Sequence, residues 1–425
     1  MITALIITVF IVGYLAIAFE HPLQLNKAAS ALITAVLCWT IYALQSGSPE
    51  AASGELFSHL GEIASILFFL LGAMTIVELI DSHNGFEIIT QQIHTSSKKK
   101  LLLIVAFITF FLSALLDNLT TAIVMASLCS KLLTEKEDKL WFCGLIVIAA
   151  NAGGAWSPLG DVTTTMLWIG GQVTASVIIK QLFLPSVVAC ILSALIIARR
   201  FKKETFTAVP EPASSAKEKR DGKIILFSGI GFLVFVPVFK TITHLPPFMG
   251  MLLALGLMWV ITTIIHKEKE QEVAEKYTVA KALQKVDTPS ILFFLGILLA
   301  VSALQSFGLL KDLAAILSST LKNDYAIGTA LGLLSAFVDN VPLVAAAQGM
   351  FDLTTYPTDH PFWEFLALTT GTGGSAIIIG SAAGVAVMGI EQINFIWYLK
   401  KISWIALVGF IAAIFVFFLQ LQFTG

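Results

Sequence analysis

Charge is what this 425-residue sequence has least of: only 13% of its residues are Asp, Glu, Lys or Arg, about half the ~25% of a soluble globular chain. With 57% apolar residues and a mean hydropathy of +0.87, that scarcity argues against any water-soluble fold. Neither sign of charge dominates, 26 basic residues standing against 28 acidic ones, so there is no nucleic-acid footprint. The four cysteines (Cys38, Cys129, Cys143, Cys190) lie in or beside apolar runs without a CxxC spacing, which removes a disulfide framework and a zinc site. The apolar run 2–19 lacks a basic leader and a small-residue cleavage site, and reads as a retained first span rather than a signal peptide.

Long apolar runs are what the chain does have. Those near 2–19, 29–45, 62–80, 177–198, 224–240, 248–265, 289–309 and 402–421 predict single crossing helices. Two more, 141–168 and 363–390, are interrupted by glycine clusters and predict broken helices, making ten crossings in all. Regions 102–133 and 326–351 carry a polar break at Asp117-Asn118 and Asp339-Asn340, each half being about long enough for half a bilayer. They read as re-entrant helical hairpins. The fold class expected is an all-α polytopic membrane protein.

Lysine and arginine collect in cytoplasmic loops, and here they cluster at 98–100 with 131–139, at 199–223, at 267–285 and at Lys400-Lys401. All four groups share one side only if both hairpins return to the side they came from. The first hairpin then opens from the cytoplasm, the second from outside, and both termini lie outside. The segment 206–223 reads as a solvated cytoplasmic linker.

A repeat accounts for this layout. SALLDN from Ser113 matches SAFVDN from Ser335 at an offset of 222 residues, and NAGGAWSPLGD from Asn151 matches GTGGSAIIIGS from Gly371 at an offset of 220. FFLLG ending at Gly72 resembles ILFFLG ending at Gly296, at an offset of 224. Residues 1–205 and 224–425 thus form two repeats, each with five crossings and one hairpin. Five is odd, so the halves insert in opposite orientations, the inverted design of many secondary transporters.

In such folds the site lies where helices break near the midplane. The first tip offers Ser113, Asp117 and Asn118, and the second Ser335, Asp339 and Asn340. The broken helices add Asn151, Asp161, Thr163 and Thr164 in one half, and Thr372, Ser375 and Ser381 in the other. All are oxygen ligands, suited to a hard cation. Asp or Ser at a helix break also serves as a plain N-cap, and glycines between apolar runs serve helix packing. An acid inside a span is costly and a functional candidate by default. Glu78, Asp117, Asp161 and Asp339 qualify, Glu78 and Ser113 with Thr372 and Ser375 as accessory positions. Glu78 lies near its span's cytoplasmic end, where a snorkelling or ion-paired role is the alternative. His21, His59, His94, His244, His266 and His360 read as interfacial, and the Glu/Lys run 267–276 as a solvated helix.

The strings LLGAMTIVELIDSHNGF from Leu70, LLDNLTTAIVMASL from Leu115, NAGGAWSPLGDVTTTMLW from Asn151, FVDNVPLVAAAQGM from Phe337 and TTGTGGSAIIIGSAAGVAVMG from Thr369 resemble the NhaD-type sodium/proton antiporters of the ion transporter superfamily. The resemblance spans nearly the whole chain. It implies exchange of Na⁺, and Li⁺, for H⁺ across a bacterial-type inner membrane, with no cofactor. It also implies a homodimer with a scaffold and a mobile transport domain. Dicarboxylate carriers of the superfamily have Ser-Asn-Thr at each tip, whereas the tips here read Asp117-Asn118-Leu119-Thr120 and Asp339-Asn340-Val341-Pro342. Acids at the tips repel an anion and suit a cation. A sodium-coupled anion carrier of the same fold is the alternative. A channel fits less well with two inverted halves.

Overall fold

The computed structural model describes residues 2–90, 95–201, 216–267 and 277–424, which form helices, turns and loops. The first half runs α1 (Ile2–Ala18), α2 (Glu20–Leu23), α3 (Lys27–Gln45), α4 (Pro49–Ser82), α5 (Gly85–Thr90), α6 (Lys98–Leu116), α7 (Asn118–Leu132), α8 (Lys136–Gly154), α9 (Val162–Ile169) and α10 (Ala175–Ala198). The second continues with α11 (Ala216–Thr243), α12 (Pro247–His266), α13 (Val279–Lys285), α14 (Thr288–Ser306), α15 (Leu309–Leu321), α16 (Asp324–Leu334) and α17 (Asn340–Met350). It closes with α18 (Pro361–Gly373), a 3₁₀ turn at Ile378–Gly380, α19 (Ala382–Glu391), α20 (Phe395–Lys401) and α21 (Ser403–Thr424). Among the described residues eight helices are long and apolar enough to cross a membrane. There are nine if α19 and α20, bent by 116° at their junction, act as one span.

The helix starts follow local chemistry. Asn26 caps α3, Ser48 with Pro49 opens α4, Asp287 caps α14 and Asn323 caps α16, each oxygen taking a backbone N–H that the first turn leaves free. α8 stops at Gly154 and α9 begins at Val162, while α18 stops at Gly373 and α19 begins at Ala382.

Three expectations change. The first arm of hairpin 102–133 is the whole of α6, 19 residues and about 28 Å long, not half a bilayer. Ser97 caps it at Lys100 N, and Lys98 pairs with Asp138 at 2.6 Å, which carries the helix one turn past the apolar run. Of the linker 206–223, residues 216–223 are the first turns of α11, because their Ala-Lys-Glu-Arg composition favours helix; residues 206–215 lie outside the described residues. His266 is buried rather than interfacial, its Nε2 lying 2.8 Å from Nε2 of the buried His83. His94 and most of the run 267–276 also lie outside the described residues.

The hairpins lie against the broken helices at backbone distance. A Cβ on Gly153 in α8 would stand 2.2 Å from the Phe110 carbonyl oxygen of α6, and one on Gly373 in α18 would stand 2.1 Å from that of Gly332 in α16. Only glycine allows this approach. Gly153→Ala and Gly373→Ala should each destabilise the protein by ~1–3 kcal/mol or more, since backbone rather than a flexible side chain must move. Gly256→Ala, with nothing within 4 Å of its added methyl, is the control. Thermal unfolding in detergent measures all three.

Candidate functional site

Four helices restart at the breaks, and the residue before each restart caps it. Asp117 Oδ1 accepts from Thr120 N at 2.8 Å and Asp339 Oδ1 from Val341 N at 3.0 Å. Asp161 Oδ1 accepts from Thr163 N at 3.0 Å, and Ser381 Oγ from Gly384 N at 3.2 Å. Asp117 is held in an extended conformation at φ 128° and ψ 160°, a region rarely open to a residue with a side chain. Its second carboxylate oxygen accepts from Thr120 Oγ1 at 2.8 Å, so Thr120 engages both.

The four breaks converge on Asp161, which is 2% exposed. Its Oδ2 accepts from Asn118 Nδ2 at 2.8 Å and from Asn340 Nδ2 at 3.1 Å, one amide from each hairpin tip. Asn118 Nδ2 also donates to Asn151 Oδ1 at 3.0 Å. Asn151 Nδ2 donates to Ser375 Oγ and Ser381 Oγ, both at 2.9 Å, which extends the network into the second broken helix. Every polar atom in this chain of contacts is buried, and it joins residues far apart in sequence.

A cavity of about 30 Å³ opens beside the network, lined by Asp117, Asn118, Asp161, Asp339 and Asn340 on one side and by Leu70, Met74, Ser290 and Phe294 on the other. Three carboxylates and no basic side chain line it. Among the described residues no group of three or more His, Cys, Asp or Glu side chains could hold a metal ion, so any cation here would take mixed oxygen ligands. The hydroxyl of Thr163 is buried without a hydrogen-bond partner, which leaves one such oxygen free at the break.

Other expected positions have structural work. Ser113 Oγ donates to Ala150 O at 2.6 Å and Ser335 Oγ to Thr370 O at 2.8 Å, pinning each hairpin to its broken helix. Thr164 Oγ1 donates to Ser157 O and Asp161 O, closing the loop of its break, and Thr372 Oγ1 donates within its own helix to Leu368 O. Glu78 stands apart, accepting from Lys285 Nζ and Ser82 Oγ, both at 2.9 Å.

The apolar walls of the cavity were open to sequence reasoning. Leu70 and Phe294 occupy matched positions of the FFLLG and ILFFLG pieces, yet only polar residues qualified as candidates. A further buried acid lies outside the expected set. Glu364 in α18 is 1% exposed and its Oε1 has no hydrogen bond; it sits beside Trp363 and Phe365, far along the helix from the break.

The profile of the citrate transporter family matches residues 14–373. The chain is 47% identical over 406 residues to sodium/proton antiporter 1 of Arabidopsis thaliana, covering 95% of this chain and 70% of that one. It is 43% identical to sodium/proton antiporter 2 of the same plant, over 95% and 96%. Against the Na⁺/H⁺ antiporter NhaD of Vibrio cholerae identity is 31%, over 96% and 89%. The chain belongs to the NhaD-type antiporter family. Within that family the network around Asp161 predicts a clear difference between two substitutions. Asn151→Ala strips partners from Asn118, Ser375 and Ser381 in a buried site and should cost ~2–4 kcal/mol of thermal stability in detergent. Thr372→Val, which loses only a bond within its own helix, should cost less than ~1 kcal/mol.

Proposed function

We propose that this chain is a secondary transporter, not an enzyme, that exchanges Na⁺, and Li⁺, for H⁺ through the cavity at the four breaks. The carrying observation is a buried carboxylate, Asp161, held by an amide from each hairpin in a cavity bearing two further acids and no base. Each amide has a carbonyl oxygen as well as its NH₂ group. Turned one way, Asn118 and Asn340 stabilise the empty carboxylate; turned the other, they offer oxygens to a cation bound on it. Thr163 Oγ1, Asn151, Asp117 and Asp339 complete the donor set, with Asp117 and Asp339 adding charge. The relatives named as sodium/proton antiporters support the same exchange.

The family profile carries the name of citrate, which keeps an anion carrier as the second reading. An anion would meet three carboxylates, and the positive ends of the four restarting helices are already taken by the chain's own caps. In proteoliposomes a Na⁺ gradient should drive proton flux, and labelled dicarboxylate should not accumulate. Dicarboxylate uptake without proton movement would make the anion reading correct. Asp161→Asn keeps the cap but removes the charge, so exchange should fall to background in folded protein. Asp117→Asn should weaken Na⁺ affinity by a smaller factor, since Thr120 already engages both its oxygens.

Proton and cation compete for one carboxylate in this scheme. As pH falls the acid is protonated and Na⁺ excluded; as pH rises the half-saturating Na⁺ concentration should drop, up to about tenfold per unit while one proton leaves per ion. Apparent Na⁺ affinity measured between about pH 6.5 and 9 checks this, and a flat profile would remove the shared carboxylate.

The architecture we propose is two inverted repeats, 1–205 and 224–425, in a homodimer of the inner membrane with both termini outside. Matched contacts support it: Ser113 on Ala150 answers Ser335 on Thr370, and Gly153 on Phe110 answers Gly373 on Gly332. Single cysteines near Lys136 and Lys217 should label from the cytoplasm and one near Asp359 from outside. Labelling at 136 and 359 from the same side would overturn the inverted arrangement.

A further inference from the structure

α4 is 34 residues long, about 51 Å, and three cavities lie along it. Glu62, Ile63 and Ile66 line a polar pocket of about 420 Å³; Leu70 and Met74 line the central cavity; Asp81 lines a third pocket of about 250 Å³. The first pocket and the central cavity share their other walls too. On α4 the pocket residue Ile66 is one turn before Leu70, and on α9 Met166 is one turn after Val162. On α14 Leu298 follows Phe294, and on α17 Ala345 follows Val341, again at four residues. Four helices thus carry both spaces, and a single turn of largely apolar side chains, about 6 Å thick, divides them. The third pocket continues in the opposite direction. On α7 its wall residue Ile123 is one turn beyond Leu119 of the central cavity, and on α4 Asp81 is two turns beyond Met74.

We propose that the two outer pockets are the access routes of the transported cation, and that Glu62 is the carboxylate that collects it on the side of the α3–α4 loop. Glu62 is the one acid lining the first pocket, exposed and accompanied there by the imidazole of His59 and by amides and hydroxyls that include Gln305, Gln348 and Ser302. Such a lining attracts a monovalent cation without holding it. Asp81 and Glu87 serve the opposite mouth, with Lys131 beside them limiting the local negative charge. In this structure the central cavity is separate from both outer pockets, so passage of the ion requires a shift of the walls between them.

The inference rests on the exchange reading, and its test separates the two. In a background lacking the four native cysteines, Ala345→Cys and Ser127→Cys place a thiol in the first and third pockets; Gln348→Cys replaces Ala345→Cys if that variant fails to reach the membrane. A membrane-impermeant cationic thiol reagent should modify the two from opposite faces, and modification should cut flux at least about tenfold. Leu252→Cys, on the lipid-exposed face of α12, should leave flux unchanged. Glu62→Gln should raise the half-saturating Na⁺ concentration severalfold from its own face and leave the maximal rate intact. Modification of Ala345→Cys and Ser127→Cys from one face, or without loss of flux, would overturn the routes. An unchanged Na⁺ half-saturation in Glu62→Gln would overturn its role. A protein that moves dicarboxylate but no Na⁺, yet is blocked at both thiols, would keep the routes and refute sodium/proton exchange.

Discussion

A break in a helix inside a bilayer exposes peptide groups that water is not there to satisfy, and the rest of this structure depends on how that cost is met. Each unpaired group in hydrocarbon costs several kcal/mol. The four breaks meet it in two ways. Each restart carries its own cap, Asp117, Asp161, Asp339 or Ser381. The breaks are also gathered into one place, where Asn118, Asn151 and Asn340 satisfy side chains from three other segments. Had the breaks been scattered, each would have needed a separate polar shell. Gathering them makes a polar interior with a cavity in an otherwise apolar molecule.

In the proposed exchange, capping and ion binding draw on the same carboxylate. A cap needs one oxygen from a carboxylate, and Asp161 has a second, which is where the two tip amides meet. A serine would cap as well, as Ser381 does at the matched position, but would offer no charge. Of these two breaks one holds an acid and the other a neutral hydroxyl, and Asn118 and Asn151 in series link them.

How much of this was legible in the sequence follows from the range of each signal. The interruptions at Asp117, Asp161, Asp339 and Ser381 are legible because a polar or glycine-rich break in an apolar run is local, and similar pieces at offsets 220 to 224 show such a break twice. The start of α6 is not legible in hydropathy, because a cap and a lysine–aspartate pair fix that end. The His83–His266 contact brings together residues 183 apart and leaves no local trace. Glu364 leaves no local signal because it sits in the first turn of α18, where an acid is an ordinary helix-start residue. Ser113 and Ser335 were recognised as a pair, but whether they bind an ion or pin a helix depends on a carbonyl 35 or more residues away.

The distribution of tight and loose contacts bears on how access could change. Within each half the hairpin and broken helix touch backbone to backbone at Gly153 and Gly373, contacts that leave no room to slide. α3 and α14 are likewise tied, Trp39 Nε1 donating to Leu299 O at 2.9 Å. Between these two bodies lies the boundary of α4 and α14 with α9 and α17, and there the packing gives way to cavities. Close-packed interfaces resist displacement, whereas a boundary already short of contacts loses few when it shifts. Relative movement along that boundary would carry Asp161 and its amides past the apolar turn that separates them from the pocket beside Glu62, leaving their hydrogen bonds intact. The cavities therefore mark the boundary along which displacement would cost the fewest contacts.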